Sequence, residues 1–583
     1  MTLAFLNVAS HLARLAKLEP ERAAIHVPCR RVNSEVDTPD DYVSLTFREL
    51  HEASDAIAHG LVSAGIGRGT RTAMMVPPGL DFFTLTFAMF KVGAVPVLVD
   101  PGMGIKNLGT CLAEAEPEAF IGIPRAHFAR RVLGWAKRTV RITVNVGRAR
   151  FFCQHSLHRL RDNSLSLGPF AGPEVAAEDT AAILFTSGST GIAKGVVYTH
   201  GIFAAQVEML KATYGIEPGE VDLCTFPLFA LFGPALGMTC VVPDMDPTRP
   251  AKIDPRKVVK QIRQFGATNL FGSPAVVHRL GEYGVESGVK LPTLRRVISA
   301  GAPVPARAIE ALAKMLPETT QVYTPYGATE ALPVANIGSL EILGETRSLT
   351  DQGRGVCVGK PVEGMQVSVI PITDSVVPEW DESTCLLPGQ IGEFVVRGPV
   401  VTKRYHNRPE QTRLAKIRDA ATGETLHRMG DVGYLDEQGR MWYCGRKSHR
   451  VETPSGTLFT EMVEGVFNTV PGVFRTALVS VVRAGTTHPV VCVELEPPPI
   501  GIRGRREWLS MVSSLREQAK RSEVTLGLEI FLCHDGFPVD VRHNAKIFRE
   551  RLAVWADRTL GPAWNPVPDA QALQRVDLSE KTQ

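Results

Sequence analysis

Apolar residues in the first third of the chain follow two alternating periods. Over 47–64 (FRELHEASDAIAHGLVSA) they recur at helical spacing, whereas 71–76 (RTAMMV) is a short apolar run closed by Pro77, Pro78 and Gly79. The sequence then repeats the alternation, with a helix expected over 81–90 and a strand over 94–99 (AVPVLV). Short apolar runs at 181–185, 269–271 and 296–299 extend it. Strands that alternate with helices predict a parallel sheet covered by helices. No internal repeat is evident.

The pattern changes over 345–397, where Gly and Pro punctuate short alternating runs such as 365–370 and 392–396. Period-two runs bounded by turn residues predict a smaller, antiparallel β subdomain. After Cys444, Gly445 and Arg446 the chain restarts, with a helix expected over 460–467, strands over 475–482 and 490–496, and an amphipathic helix over 505–521. From Pro562 onward it is polar and Pro-containing, which predicts a loosely docked tail. The fold class expected is therefore α/β. A large N-terminal domain of helix-covered sheets (1–445) with a β-rich subdomain (about 345–444) precedes a small, mobile C-terminal α+β domain (446–583).

Residues 223–243 carry no charge, and a membrane-spanning helix needs about 20 apolar residues. Pro227, Gly233, Pro234 and Gly237 break this stretch, and each Pro removes a backbone donor. Loops and short helices are expected instead of a span, forming an apolar pocket wall or a surface that touches lipid.

With 583 residues, and roughly 150 per domain as a prior, about four domains are expected. Hydrophobic residues at 44% and charged residues at 21% exclude a largely disordered or fibrous chain. Lys plus Arg number 64 against 61 Asp plus Glu, so the net charge of +3 names no partner. No clustered basic excess is seen, and no nucleic acid is expected. None of the ten cysteines forms a C-x-x-C pair, which argues against a zinc knuckle or redox pair. The start (MTLAFLN) lacks a basic region followed by a long apolar run, so a reducing, cytoplasmic location is expected.

The strongest local chemical signal is the apolar strand 181–185 running into Thr186, Ser187, Gly188, Ser189, Thr190 and Gly191, with Lys194 shortly after. Glycines let backbone N–H groups approach phosphate oxygens, and the hydroxyls add uncharged donors. Lys194 supplies a compact cation for polyphosphate. A Walker A loop needs Gly, Lys and Ser/Thr in succession, whereas Lys194 lies between Ala193 and Gly195. A flexible linker is a poorer account, because an apolar run (Val196, Val197, Tyr198) follows at once.

This loop resembles the phosphate loop of the adenylate-forming superfamily, which includes acyl-CoA synthetases, nonribosomal-peptide adenylation domains and firefly-type luciferases. Further motifs follow in the family's order: Gly301, Ala302 and Pro303 after Ser299 and Ala300, then Tyr326, Gly327, Ala328, Thr329 and Glu330 (YGxTE), Asp431 after Gly430, Arg446 after Gly445, and Lys546. The resemblance covers nearly the whole chain. It implies ATP as co-substrate, an adenine-side segment at Gly301–Pro303, and stacking of Tyr326 beside Gly327. Thr329 would donate to a phosphate or acyl carboxylate, and Glu330 would be a hard oxygen ligand for Mg²⁺. Asp431 and Arg446, placed in turns, would serve the ribose, with Arg446 starting a hinge. Lys546 would bridge the attacking carboxylate and the α-phosphate, stabilising charge that develops in the transition state.

Several departures narrow the resemblance. The family's PLFH-type acyl-site segment reads here Phe229, Ala230, Leu231, Phe232, Gly233 after Pro227 and Leu228, with Ala230 in place of the histidine. The hinge position is Ser448, and the IKxxG run is replaced by Val451, Glu452, Thr453, Pro454, Ser455 and Gly456. Asn544 and Ala545 precede Lys546 where Thr-Gly is usual. The stretch 537–546, together with Ala230 and the loop 187–196 (SGSTGIAKGV), is most similar to the β-lactone synthetases of bacterial long-chain olefin biosynthesis. That resemblance implies a long-chain 2-alkyl-3-hydroxy fatty acid as substrate and other olefin-pathway enzymes as possible partners. Phe229, Ala230, Phe232 and Gly233 would face the acyl chains. His200 and His543 are candidates for accepting the 3-hydroxyl proton, with a structural role the more ordinary one. An acyl-CoA ligase shares every ATP motif and is the alternative; a non-catalytic relative would more readily have lost Lys194, Glu330, Asp431 and Lys546.

Overall fold

The computed structural model describes residues 6–29, 42–100, 103–147, 153–185, 193–226, 229–497, 501–539, 546–562 and 564, with backbone alone for 229–230 and 501–505. The alternation in the first part of the sequence resolves into two seven-stranded sheets. In one, the order is His155–Ser156, Ile142–Asn145, Ala119–Gly122, Arg71–Met75, Val95–Val99, Thr180–Phe185 and Gly195–Thr199. In the other it is Gln321–Tyr323, Arg296–Ser299, Asn269–Gly272, Val221–Cys224, Thr239–Val241, Ala23–Pro28 and Tyr42–Thr46. Both are parallel except for the last pair, which is antiparallel.

Local sequence explains the covering helices. Helix Phe47–Ser63 begins at a reciprocal cap: Glu49 N–H donates to Thr46 Oγ1 at 3.1 Å, and Thr46 N–H donates to Glu49 Oε2 at 2.8 Å. Helix Leu80–Lys91 is apolar on every side and correspondingly buried from Phe82 to Lys91. Lys91 ends in the interior, where its ammonium donates to Asp55 at 2.6 Å and to the His51 carbonyl at 2.8 Å. One apolar cluster spans the inner faces of both sheets, holding Phe83, Phe87, Leu210 and Ile298 together.

An antiparallel sheet of eight strands follows, drawn from Tyr326–Ala328 to Met441–Arg446. The last portion of the chain builds a three-stranded sheet under helix Gly501–Ala519 and helix Arg549–Leu560. Its long hairpin, Val473–Arg483 and Thr486–Leu495, turns at Ala484 and Gly485, both with positive φ (48° and 77°) as a two-residue turn requires. Helix Thr460–Phe467 joins this portion to the antiparallel sheet by packing on Met441–Arg446.

In the uncharged stretch 223–243, every described side chain is buried except Phe226 and Phe232, which are half-buried. Short strands and a one-turn helix place its described side chains in the interior, where they do not form the lipid-touching surface that is one of the two expected roles. Among the described residues no helix is long and apolar enough to cross a membrane. All ten cysteines are free thiols.

Candidate active site

Thr329 and Glu330 form the two-residue tip of a hairpin, because Ala328 pairs with Ala331 across it. A Cβ on Gly327 would lie 2.7 Å from the Ala331 carbonyl oxygen, so this tight return accepts no side chain there. Tyr198 donates to the Thr329 carbonyl at 2.6 Å, and Thr402 donates to the Glu330 carbonyl through both its N–H (2.9 Å) and its hydroxyl (3.0 Å). The tip is thus fixed from two sides before any ligand arrives.

Asp431 lies at the centre of the second group. The sequence places it and Arg446 in turns; the structure places both in strands, as direct partners across Thr425–Leu435 and Met441–Arg446. The two motifs are extended because each continues an alternating apolar run, and the glycines allow local irregularity instead of ending the strands. Arg446 Nη1 is 3.1 Å from Asp431 Oδ1, and Tyr326 donates to Asp431 Oδ2 at 2.6 Å. Burial raises the Asp431 pKa, while Arg446, the Tyr326 hydroxyl and Lys546 act to lower it. Burial, and then the Asp431 charge, hold the Tyr326 phenol protonated, which suits it as the donor. Asp431 Oδ1 is buried and accepts no directed hydrogen bond despite the ion pair.

The field of Lys546 at Asp431 brings the C-terminal portion to this group. Glu461, on helix Thr460–Phe467, is a neighbour that motif reading missed. Burial pushes its carboxyl up to about 7, with Glu464 and Asp431 adding to the rise and Arg549 opposing it. Arg549 donates to both Glu464 oxygens, at 2.7 and 2.6 Å, fixing the start of the helix that follows Lys546. Beyond Arg446 the chain is clasped to the antiparallel sheet. Lys447 donates to the Thr373 carbonyl at 2.8 Å and approaches Glu393 at 3.3 Å, and Arg450 pairs with Asp374 at 3.2 Å. Val451–Thr453 and Gly456–Leu458 then close a hairpin whose two-residue turn is Pro454 and Ser455.

Tyr405 links the hairpin tip to Lys194, and no motif points to it. Backbone pairing of Tyr405 with Val196, and of His406 N–H with the Gly195 carbonyl at 2.7 Å, brings it beside the strand after the phosphate loop. Its hydroxyl donates to Glu330 Oε1 at 2.7 Å, and Lys194 Nζ lies 4.8 Å from its ring centroid. Lys416, also missed, is buried behind it and donates to Thr402 Oγ1 at 3.1 Å. Burial pushes Lys416 down to about 7, with Glu330 opposing and Lys194 adding to the fall.

Thr186, Ser187, Gly188, Ser189, Thr190 and Gly191 lie outside the described residues; their flanks Phe185 and Gly195 are strand partners. Gly301, Ala302 and Pro303 leave the C-terminal end of Arg296–Ser299, beside the end of Gln321–Tyr323 that leads to Tyr326. That edge of a parallel sheet is where such folds receive ligands. Phe232 makes an edge contact with Phe203 at 5.9 Å, and Gly233 packs against Cys240. The side chains of Phe229 and Ala230 lie outside the described residues, as does His543. His200 is buried near Phe90, Nδ1 has no hydrogen-bond partner, and burial pushes its pKa down to about 4, which describes a core histidine.

These residues fit a nucleotide with its magnesium ion. Asp431 Oδ1 offers a ribose hydroxyl an acceptor, and Glu330 is one preset carboxylate. Among the described residues no group of three or more His, Cys, Asp and Glu could hold a metal by itself.

Residues 12–406 match the model of the AMP-binding enzyme family, and the chain belongs to that family. Within it, the chain is 51% identical over 560 residues to the olefin beta-lactone synthetase of Stenotrophomonas maltophilia (strain K279a), covering 95% of this chain and 98% of that one. It is 49% identical over 553 residues to the olefin beta-lactone synthetase of Xanthomonas campestris pv. campestris, covering 94% and 97%. The fold is similar to that of the amide bond synthetase McbA from Marinactinospora thermotolerans, with a TM-score of 0.74 at 20% identity over 94% of this chain and 99% of that one.

Proposed function

We propose that this chain is an ATP-dependent, AMP-forming β-lactone synthetase acting on a long-chain 2-alkyl-3-hydroxy fatty acid. Carboxylate attack on the α-phosphorus of ATP releases pyrophosphate and leaves an acyl-adenylate. The substrate's own 3-hydroxyl oxygen then attacks the acyl carbonyl, its proton passes to solvent, the C–O bond to AMP breaks, and a four-membered lactone closes. An intramolecular nucleophile has an effective molarity of roughly 10⁵ M or more, which helps offset ring strain.

In this reading Asp431 accepts from the ribose, with Arg446 and Tyr326 holding its carboxylate. Gly301, Ala302 and Pro303 border the adenine. Thr186, Ser187, Gly188, Ser189, Thr190, Gly191 and Lys194 take the phosphates. Lys546 stabilises charge on the α-phosphate as the acid attacks, and Thr329 orients the acyl group. A magnesium ion held by Glu330 and the phosphates would neutralise the leaving pyrophosphate. The proposed division at 445/446 lets the smaller portion deliver Lys546, and Phe229, Ala230, Phe232 and Gly233 border the alkyl chains. A cytoplasmic setting beside a thiolase-like condensing enzyme, a ketone reductase and a lactone decarboxylase belongs to the same reading.

The observation that carries the synthetase over the acyl-CoA ligase is the half-identity, end to end, with two olefin beta-lactone synthetases. The Pro454-Ser455 turn, where ligases carry a thioester-forming loop, agrees with it. The test is product analysis by NMR and mass spectrometry after incubation with ATP, Mg²⁺ and a racemic 2-alkyl-3-hydroxy acid, with and without CoA. A β-lactone and AMP formed without CoA are expected; a thioester formed only with CoA would return the chain to the ligases.

A further inference from the structure

The near-balance of charge along the whole chain conceals one segment that is not balanced. Between Glu118 and Asp162 the sequence holds ten Lys and Arg residues and no Asp or Glu, against a net charge of +3 for all 583 residues. The expectation that no basic cluster exists is corrected by this segment, and the remainder of the chain is net acidic.

Helix Pro124–Leu133 lies within it. Its inner face is anchored: Ala126 and His127 are buried, His127 Nε2 is 3.0 Å from the Val144 carbonyl, and the Arg130 guanidinium lies 5.6 Å from the Phe120 ring centroid. Its outer face carries Arg125, Phe128 and Val132 at helical spacing, flanked by Arg131 and Leu133. Phe128 and Val132 are each 64% exposed and Leu133 is 49% exposed. Lys137, Arg138 and Arg141, all exposed, follow the helix in the same basic segment. Among the described residues, Arg125, Lys137, Arg138 and Arg141 form no ion pair with a carboxylate. The helix needs none of these outward apolar groups for its own packing.

We infer that this helix face is a docking surface for an anionic lipid bilayer. Phe128, Val132 and Leu133 enter the boundary between headgroups and acyl chains, while the surrounding cations pair with lipid phosphates. Long Lys and Arg side chains suit this geometry because their stems lie along apolar surface while their charges reach water. Three exposed apolar side chains within a basic segment match an anionic lipid layer both in sign and in apolar character. Nucleic acid would match the charge alone and leave Phe128 and Val132 unexplained. The inference stands apart from the lactone reading, although a water-insoluble substrate would give such docking a purpose.

The test is co-sedimentation of the full chain with vesicles of phosphatidylglycerol and phosphatidylcholine, against phosphatidylcholine alone and against duplex DNA. Binding to the anionic vesicles only is expected. At about fivefold per cation, Arg125→Gln/Lys137→Gln/Arg138→Gln should weaken it by roughly 100-fold. Phe128→Ser/Val132→Ser should abolish the part of the binding that survives high salt. All five positions are exposed, so melting temperature and adenylation of a short, soluble acid should be unchanged. Hydrogen exchange on the unmodified chain supplies a second reading, with protection expected in 124–133 when anionic vesicles are present. The proposal is overturned if the chain stays in the supernatant with anionic vesicles, if neither variant changes binding, or if duplex DNA alone is bound.

Discussion

Tyr405 donates its hydroxyl hydrogen to Glu330 Oε1 at 2.7 Å, across 75 residues of sequence. The backbone of Tyr405 is bridged to Val196, and Lys194 lies over its ring, so one side chain joins the phosphate-loop cation to the hairpin-tip carboxylate. A single aromatic residue therefore sets the separation of the two charges proposed to face a polyphosphate and its metal.

Tyr405→Phe keeps the ring and removes the hydrogen bond. A hydrogen bond to a charged group contributes about 1.5–3 kcal/mol, so pyrophosphate release should slow by roughly 10- to 100-fold, with a higher Mg²⁺ requirement. A steady-state assay across Mg²⁺ concentrations checks this, and turnover equal to that of the parent would remove Tyr405 from the site.

Lys546→Ala should reduce adenylation by at least about 10²- to 10³-fold, the scale for loss of a transition-state charge partner. ATP affinity, measured by equilibrium titration, should change little because the proposed ribose contacts remain. Equal losses in both quantities would make Lys546 a binding residue.

Glu393 is 1% exposed and pairs with Arg428 at 2.6 Å, while Lys447 approaches it at 3.3 Å. Glu393→Gln leaves two cations short of their counter-charge, and breaking a buried pair costs about 3–5 kcal/mol. Chemical denaturation should show a loss of that order. A loss near zero would mean that solvent or a rearranged partner replaces the carboxylate.

His11 and His200 are buried, and burial pushes each pKa from 6.5 down to about 4. Between those values the unfolded chain binds more protons than the folded one, so stability is fully present above about pH 6.5 and is lost as pH falls toward 4. Each histidine can account for up to about 3 kcal/mol over that window. Melting temperatures from pH 7 to 4.5 should fall, and His200→Leu should flatten the slope.

Much of the fold was legible because it depends on local period: the helix at 460–467 and the strand at 296–299 match their observed bounds. The division of the parallel strands into two sheets was not legible, because the pattern does not encode which apolar faces meet. The motif residues Tyr326, Asp431 and Arg446 do converge, but their strand pairing was misread as turns since Gly430 and Gly445 look like punctuation. Tyr405, Lys416 and Glu461 carry no local signature. Their proximity to the site comes from register and packing, and only coordinates display it.

Arg446 is both the cross-strand partner of Asp431 and the last residue of its strand before the chain enters the C-terminal portion. With a hinge at the proposed 445/446 division, rotation of that portion would pull on the guanidinium that pairs with the aspartate. Thermodynamic reciprocity then applies: if the angle between the portions changes nucleotide affinity by some factor, nucleotide must bias the angle by the same factor. The protein would act as a gauge of nucleotide supply, its average shape in solution set by how often Asp431 is engaged.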